Sequence, residues 1–412
     1  MRRLALLVVL LAIVVGALGA QNRAVRDVPP TVIMVSFDGW RWDYSTKAPV
    51  PNLRRLMARG VRAENLIPSF PSKTFPNHYT IVTGLYPGHH GIVANTIKDP
   101  ATGRIFATAK VQEVRDPMWW GGEPIWVTAA RAKQLSAAMF WPGSEAPIEG
   151  VLPRYWTPYN GNYPANGRID RVLEWLDLPE AERPRFITVY FEDTDRAAHE
   201  QGPDSQAVRE AIMRADSYLG RLQQGLERRG LADKVNVVVV SDHGMASVST
   251  NRVIVVDDYL APEDGEIVDI NPTLAVYPKP GKEESVFRAL EKAHPRLKVY
   301  RRGEMPAQWH YNDHPRIPPI MGVADEGWQV LRRSTVAGLR NRSLRPAAGQ
   351  HGYDPVDMSM RAMFVAAGPA FKSAVTVPPF ENVDIYNVLA QVLGITPAPN
   401  DGDTEIARQL LR

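Results

Sequence analysis

Residues 31–37 read Thr-Val-Ile-Met-Val-Ser-Phe, an unbroken apolar run that stops at Asp38. Two similar runs occupy 185–191 and 235–240, and acidic residues follow each of them. Continuous runs rich in valine and isoleucine are typical of parallel strands that helices cover on both faces. Helix-like patterns lie at 169–178, 205–229 and 385–393. Because strands alternate with helices, the sequence predicts an α/β fold with a central, mostly parallel sheet and helices on both faces.

Two stretches differ from this pattern because they are rich in proline and glycine. Residues 141–167 also carry several aromatic side chains, and we interpret them as a long loop near the active face. Residues 260–320 retain strand-like runs at 274–277 and 297–301, which a simple linker would lack. We therefore expect a peripheral lobe, from about 250 to 345, inserted into the α/β fold.

The N-terminus has the features of a secretory signal peptide. Two arginines precede an apolar stretch at 4–18, and small residues follow it up to Ala20. The apolar stretch is short for a membrane helix, so we expect a cleaved signal peptide at 1–20 and no stable membrane span. An uncleaved N-terminal anchor is the alternative. The remaining residues, 21–412, would form a single catalytic domain.

The composition limits which cellular compartment and which class of binding partner we expect. The chain contains no cysteine, which favours a secreted bacterial protein of the periplasm over a disulfide-bonded extracellular one. Its formal net charge is only +3, without a run of basic residues, so we expect no binding to a nucleic-acid duplex. The composition points to no protein partner.

Seven side chains that metal ions commonly bind, three carboxylates, three imidazoles and one hydroxyl, are Asp38, Asp195, Asp242, His199, His243, His351 and Thr74. In open α/β sheets, ligands bind outside the carboxyl ends of the strands, and the three carboxylates fall there. Zinc accepts mixed nitrogen and oxygen ligands of this kind. The sequence therefore predicts a metal centre beside a hydroxyl group.

Each of these ligand candidates also has a simpler interpretation. Asp195 and His199 are spaced to share one face of a helix, but such pairs are often solvated. Asp242 and His243 follow a buried strand, where a charged group needs a partner, although a helix-capping aspartate beside a surface histidine gives the same pattern. A histidine in a glycine-flanked turn, such as His351, is commonly solvated.

Thr74 is the candidate nucleophile. Pro71 and Pro76 lie on either side of it and could place its hydroxyl at the start of a helix, where free backbone N–H groups favour an anion. A threonine hydroxyl is a poor nucleophile unless a base or a metal ion activates it. An ordinary helix cap is the alternative interpretation. Taken together with the metal ligands, Thr74 indicates metal-assisted attack on a phosphate ester.

This combination resembles the nucleotide pyrophosphatase/phosphodiesterase family of the alkaline phosphatase superfamily, from Val32 to about Asp401. The stretches that carry the resemblance are 36–39, 73–79, 83–87, 140–144, 241–245 and 396–400. The resemblance implies an alkaline-phosphatase-like fold. One departure is Glu192-Asp193-Thr194-Asp195, where relatives often have Glu-Glu-Pro-Asp, although the ligand position Asp195 is retained.

The resemblance also implies a role for each candidate residue. Thr74 would form a covalent nucleotidyl intermediate. The first of two zinc ions would be held by Asp38, Thr74, Asp242 and His243, and the second by Asp195, His199 and His351. A hydrogen bond to a phosphoryl oxygen would come from Asn95. The nucleobase would lie between Phe75 and Tyr159, in a pocket bordered by Trp141 and Tyr190.

The leading hypothesis is a two-zinc hydrolase that cleaves nucleotide phosphodiester or pyrophosphate bonds and releases nucleoside 5′-monophosphate. The same metal centre could instead serve a phosphomonoesterase, a phosphonate hydrolase or a choline-lipid phosphodiesterase. The aromatic residues Phe75 and Tyr159 fit a nucleobase better than a compact headgroup. A non-catalytic binding protein on a decayed enzyme fold is a third possibility, and the intact ligand set argues against it.

Overall fold

The computed structural model describes residues 28–412. Its strands, in chain order, are β1 (Val32–Phe37), β2 (Val61–Ala63), β3 (Leu66–Ile67), β4 (Thr96–Lys98), β5 (Ile105–Ala107), β6 (Ser136–Met139), β7 (Tyr155–Thr157), β8 (Phe186–Phe191), β9 (Asn236–Val240), β10 (Ala246–Ser247), β11 (Val253–Val255), β12 (Gly265–Ile270), β13 (Thr273–Pro278), β14 (Leu297–Arg301), β15 (Ile320–Ala324), β16 (Gln329–Leu331), β17 (Gly349–Gln350), β18 (Phe364–Ala367), β19 (Val375–Val377) and β20 (Phe380–Glu381).

The α-helices of the same residues are α1 (Tyr44–Lys47), α2 (Pro51–Arg59), α3 (Thr74–Thr83), α4 (Pro87–His90), α5 (Val111–Val114), α6 (Ile125–Arg131), α7 (Ala165–Leu176), α8 (Asp193–Gln201), α9 (Gln206–Arg228), α10 (Glu283–Glu291), α11 (Arg333–Arg340), α12 (Ile385–Leu393) and α13 (Glu405–Leu410). The helix-like patterns of the sequence correspond to α7, α9 and α12. The signal peptide predicted at 1–20 lies outside the described residues.

The central sheet has eight strands in the order β19-β2-β18-β9-β1-β8-β6-β7. Strand β1 pairs in parallel with β8 and β9, β6 pairs in parallel with β8 and β7, and β2 pairs in parallel with β19. Only β18, among these strands, runs antiparallel to its neighbours β9 and β2. The prediction of a mostly parallel central sheet is therefore confirmed.

Helices cover both faces of this sheet. Successive side chains of a strand point to opposite faces, so a strand that is apolar throughout needs cover on both. Along β1, Val32 and Met34 belong to the hydrophobic cluster on one face, which includes residues of α3, α6 and α12. Ile33 and Val35 belong to the cluster on the other face, which includes residues of α2, α7 and α9. An all-apolar strand is the pattern that such two-sided burial requires.

A second, antiparallel sheet forms a peripheral lobe, with the strand order β12-β13-β15-β14. Its hydrophobic cluster includes Val286 and Leu290 of α10 and is separate from the two clusters of the central sheet. The strand-like runs at 274–277 and 297–301 are its strands β13 and β14. Strands β10 and β17, which pair with each other, bring the two ends of the inserted segment together.

The three central strands end at the same edge of the sheet. Val32 of β1 pairs with Phe186 of β8 and with Asn236 of β9, so these strands start in register. The chain leaves β1 at Asp38 and β9 at Ser241, and helix α8 follows β8 after a single residue. The carboxyl ends of parallel strands therefore gather the candidate ligands, as open α/β sheets do.

None of the helices within 28–412 combines the length and the apolar character that a membrane-crossing helix needs.

Candidate active site

The predicted ligands of the first metal ion lie together at this edge. Nε2 of His243 is 2.9 Å from Oδ2 of Asp242 and 3.5 Å from Oδ1 of Asp38. The same nitrogen is 3.2 Å from Oγ1 of Thr74. Asp38, Asp242 and His243 are almost fully buried. The structure thus brings together four side chains that the sequence supplies from three separate segments.

The predicted ligands of the second metal ion lie beside the first set. Oδ1 of Asp195 is 3.4 Å from Nε2 of His199, one helical turn away in α8, and 3.7 Å from Nε2 of His351. The ring of His351 stacks on that of His243, with centroids 3.6 Å apart and planes inclined by 12°. The two predicted sets are therefore continuous in space.

Two backbone features allow this approach. The β10–β17 ladder ends next to His351 and so returns the chain from the lobe to the candidate ligands that follow β9. Gly39 has a φ of +64°, and a Cβ atom there would lie only 2.9 Å from Cα and Cβ of Asp195. A glycine at this position provides both the left-handed turn after β1 and the space for Asp195, the candidate ligand in α8.

The three histidines predicted as ligands share one hydrogen-bonding pattern. Their Nδ1 atoms lie 2.8–2.9 Å from backbone carbonyl oxygens, namely those of Gly349 for His199, Gly244 for His243 and Ser72 for His351. A carbonyl oxygen accepts only, so each Nδ1 carries a proton, and each Nε2 faces the cluster of carboxylates, where its lone pair could bind a metal ion. This is the arrangement that orients metal-binding histidines in proteins.

The electrostatics of the cluster reflect carboxylates packed closely in a buried site. Burial, together with the charges of Asp242 and Asp195, raises the pKa of Asp38 well above its usual value. Burial opposes ionisation of Asp242 as well, but the neighbouring His243 and His78 hold its pKa below the usual value. Burial and the adjacent imidazoles of His243 and His199 lower the pKa of His351.

The residues present fit a metal centre. Three carboxylate oxygens, Oδ1 of Asp38, Oδ1 of Asp195 and Oδ2 of Asp242, are buried without a hydrogen-bond partner among residues 28–412. An unpaired buried carboxylate oxygen is costly, and a bound cation would remove that cost. Two groups of three residues have ligand atoms within 4.8 Å of one another, namely Asp195, His243 and His351, and Asp38, His78 and Asp242.

This grouping differs in two respects from the predicted ligand sets. His243 is near ligands of both sets, because Asp242 and Asp38 lie within 3.5 Å of it on one side and the ring of His351 stacks on the other. His78 enters the cluster although the sequence did not mark it as functional. It lies four residues after Thr74 on α3, a helical spacing that could have drawn attention to it.

Helix α3 begins at Thr74, as the flanking prolines predicted. Asn77 holds the preceding turn: its amide group donates to the carbonyl oxygens of Pro71 and Lys73, and its Oδ1 accepts from the N–H of Ser69. The Thr74 hydroxyl consequently lies at the N-terminal end of a buried ten-residue helix, where backbone N–H groups favour an anion.

A cavity of 340 Å³ opens beside Thr74. It is lined by every predicted substrate-binding side chain, namely Phe75, Asn95, Trp141, Tyr159 and Tyr190. The N–H of Phe75 donates to Oδ1 of Asn95 (3.0 Å), which leaves the Asn95 amide nitrogen to donate to a ligand. Tyr190 and Trp141 are buried, and Tyr190 donates its hydroxyl to Oδ2 of Asp38 (2.6 Å). Its ring lines the cavity while its hydroxyl orients a candidate metal ligand.

Arg115 and Glu145 also line this cavity, and the sequence did not mark either of them. Glu145 accepts from Nε and Nη2 of Arg115 through Oε2 (2.9 and 2.8 Å) and from the N–H of Tyr159 through Oε1 (2.8 Å). The carboxylate therefore links Arg115 to the backbone of Tyr159 in the cavity wall. No local spacing would have revealed this link, because the three residues come from three separate loops.

Comparison with known proteins agrees with this geometry. Residues 32–354 match the family described as type I phosphodiesterase/nucleotide pyrophosphatase. The chain is 37% identical to human ectonucleotide pyrophosphatase/phosphodiesterase family member 5 over 92% of this chain and 78% of that protein. It is 36% identical to the Xenopus laevis bis(5′-adenosyl)-triphosphatase enpp4, over 93% of this chain and 82% of that protein.

Solved structures of family member 5 have the same fold. The murine protein superimposes with a TM-score of 0.87 at 37% identity, covering 92% of this chain and 100% of the murine chain. An inactive threonine-to-alanine variant of the murine protein, in complex with AMP, also has a TM-score of 0.87. The predictions of an alkaline-phosphatase-like fold and of an enzyme of this family are confirmed. The chain belongs to the type I phosphodiesterase/nucleotide pyrophosphatase family.

Proposed function

We propose that the protein is a two-zinc hydrolase that cleaves phosphodiester or pyrophosphate bonds of nucleotides and releases nucleoside 5′-monophosphate. The observation that carries this proposal is the position of the Thr74 hydroxyl. It lies at the start of a buried helix, 3.2 Å from Nε2 of His243, and lines the same cavity as Asn95 and the aromatic side chains. The candidate nucleophile, a helix end suited to an anion and aromatic side chains suited to a base therefore face one space, which supports the proposal.

The chain's own residues would divide the work as follows. Thr74 would attack phosphorus while the P–O bond to the leaving group breaks, which gives a covalent nucleotidyl-threonine ester and frees the leaving group. Water would then cleave the ester, release nucleoside 5′-monophosphate and restore the threonine hydroxyl. Asn95, whose amide is oriented by Phe75, would donate a hydrogen bond to a non-bridging oxygen. Phe75 and the half-exposed Tyr159 would hold the base between their rings. An amide donor suits a diester, which carries less negative charge than a monoester dianion.

Two zinc ions fit the donor set of three carboxylates, three histidines and one hydroxyl. Asp38, Thr74, Asp242 and His243 would hold one ion, and Asp195, His199 and His351 would hold the other. When bound, such ions neutralise the charge that develops on the entering and leaving oxygens of an in-line displacement. The three unpaired carboxylate oxygens of the cluster support this assignment.

The nucleotide class of substrate is supported by the relatives. One of them is named a bis(5′-adenosyl)-triphosphatase, and a solved structure of another contains AMP. Several carry the word ectonucleotide in their names. We further propose that residues 1–20 are a signal peptide and that the protein is secreted, which in a bacterium means export to the periplasm. Residues 21–412 would then form a single catalytic domain.

The nucleophile is tested by Thr74→Ala. We expect turnover to fall by more than about 1,000-fold, because removal of a covalent nucleophile leaves only binding and electrostatic effects. The zinc content should stay close to two ions per chain, measured by plasma mass spectrometry, because the other six ligands remain. The control is Thr108→Ala, which removes another hydroxyl of the same cavity. Full activity of the Thr74 variant would refute the mechanism.

The substrate class is tested by comparing kcat/KM for three chromogenic esters, p-nitrophenyl thymidine monophosphate, p-nitrophenyl phosphate and p-nitrophenyl phosphorylcholine. We expect the nucleotide ester to be preferred. A preference for the second ester would indicate a phosphomonoesterase, and a preference for the third a choline-lipid phosphodiesterase. Product analysis with diadenosine triphosphate should then give AMP as one product.

A further inference from the structure

We infer that His78 is a positioning residue for Thr74 and is not a metal ligand. The inference rests on the proposed role of Thr74 as the nucleophile. His78 is fully buried and lies among the carboxylates, so that distance alone groups it with Asp38 and Asp242 as a possible third ligand set. Its hydrogen bonds exclude it from that set.

Both ring nitrogens of His78 are engaged by the protein. Nδ1 is 2.9 Å from the carbonyl oxygen of Thr74, and Nε2 is 2.8 Å from Oγ of Ser36 in β1. A carbonyl oxygen only accepts, so Nδ1 carries the proton, and in a neutral ring Nε2 accepts from the Ser36 hydroxyl.

The contrast with the other histidines of the site is clear. In His199, His243 and His351, Nδ1 is held by a backbone carbonyl group while Nε2 faces the carboxylates. In His78 the nitrogen nearest to a carboxylate is Nδ1, 3.4 Å from Oδ2 of Asp242, and it is already committed to Thr74. A metal ion could bind His78 only if one of its two hydrogen bonds broke.

Through these contacts His78 connects three parts of the site. It joins the first turn of α3 to β1 through Thr74 and Ser36, and its own carbonyl oxygen accepts from Nε1 of Trp141 (3.1 Å) in the cavity wall. The ring also packs edge-to-face against Tyr190, which orients Asp38. Holding the Thr74 backbone fixes where its hydroxyl points, and small misplacements of a nucleophile are costly.

The test uses substitutions that distinguish the roles of the two ring nitrogens of His78. His78→Asn keeps a donor near the position of Nδ1, whereas His78→Gln keeps a polar group near the position of Nε2 and His78→Leu keeps neither. We expect kcat to fall about 10- to 100-fold in the Leu and Gln variants, with KM nearly unchanged, and to recover largely in the Asn variant. Zinc per chain should equal that of the wild type in all three.

The matched control is His90→Leu. His90 is equally buried, its Nε2 is 3.0 Å from Oγ1 of Thr80 further along α3, and its ring packs edge-to-face against Tyr79. We expect the melting temperature to fall in both Leu variants and kcat to fall only in that of His78. Equal losses of kcat in the two variants would reduce His78 to a structural role and overturn the inference.

The metal measurement decides the remaining alternative. Loss of zinc from all three His78 variants would identify His78 as a ligand and would also overturn the inference. This readout does not depend on the identity of the nucleophile, because it needs no turnover. If Thr74→Ala remained active, the proposed function would fail. The zinc content of the His78 variants would still show whether His78 binds a metal ion or only positions neighbouring groups.

Discussion

At the scale of single residues, the cavity mouth is built around one carboxylate. Glu145 accepts hydrogen bonds from Arg115 on one side and from the backbone N–H of Tyr159 on the other. Tyr159 is 53% exposed and contacts Phe140 edge-to-face, so its ring presents a free surface to the cavity. A half-exposed aromatic ring at such a mouth is suited to stacking on a base.

Replacing Tyr159 should therefore weaken binding of the nucleoside part alone. For Tyr159→Ala we expect kcat/KM for p-nitrophenyl thymidine monophosphate to fall by about 10-fold, mainly through KM, since stacking on one base contributes about 1–3 kcal/mol. Methyl p-nitrophenyl phosphate, which has no nucleoside, should lose far less. Tyr155→Ala is the control for the loss of a tyrosine ring, because the contacts of Tyr155 are made elsewhere. It donates to the Glu182 carbonyl oxygen and packs on Trp175. Equal losses with both esters would contradict a base-stacking role.

At the scale of secondary-structure elements, helix α12 starts directly after a buried carboxyl group. Asp384 accepts from the N–H of Asp403 (2.7 Å). Burial, with the charges of Glu381 and Asp403, raises its pKa to about 7. An unfolded aspartate has a pKa of about 3.9. Between these two values the folded protein binds more protons than the unfolded chain, so this group makes the folded state less stable as the pH rises.

Asp384→Asn should remove this dependence. The free energy of unfolding of the wild type, measured by urea denaturation, should decline relative to that of the variant between pH 4 and pH 7, by at most about 1.4 kcal/mol per pH unit. Asp403→Asn removes one of the charges that raise the pKa and should make the decline smaller. Parallel stability curves for the wild type and Asp384→Asn would contradict the raised pKa.

At the scale of the whole molecule, the peripheral lobe contacts the active site through one buried ion pair. Nζ of Lys73, the residue before Thr74, pairs with Oδ2 of Asp269 in strand β12 of the lobe, and the two side chains are only 6% and 10% exposed. A second pair, Lys98 with Glu266, joins the same strand to β4 but is 24% and 45% exposed. The lobe thereby helps to position the turn that precedes Thr74, the proposed nucleophile.

Breaking the buried pair should matter far more than breaking the exposed one. Asp269→Asn leaves the Lys73 ammonium group buried without its counter-ion, so we expect a loss of about 3–5 kcal/mol in the free energy of unfolding and a lower kcat. Glu266→Gln should cost less than about 1 kcal/mol and leave kcat unchanged. Chemical denaturation and steady-state kinetics measure both effects, and equal losses in the two variants would refute a special role for the lobe contact.

Much of the fold was predictable because its signals are local. The apolar runs at 31–37, 185–191 and 235–240 form the central parallel strands β1, β8 and β9, and the candidate ligands that follow them lie at one edge of the sheet. The spacing of Asp195 and His199 placed both on one face of α8, and the prolines around Thr74 marked the start of α3. In each case the residue type and its neighbours in sequence carry the physical cause.

The contacts made across the fold were not predictable in this way. His78 bonded to Ser36, Tyr190 to Asp38, and Lys73 to a lobe aspartate all join residues that lie far apart in the chain. Such pairs depend on how sheet, helices and lobe pack against one another, which no short stretch specifies. The sequence by itself thus determined the central strands and the residue types of the candidate ligands and of the candidate nucleophile. Only the tertiary structure decided which groups hold Thr74 and the candidate ligands in place, because burial forces polar side chains to find partners wherever the fold brings them.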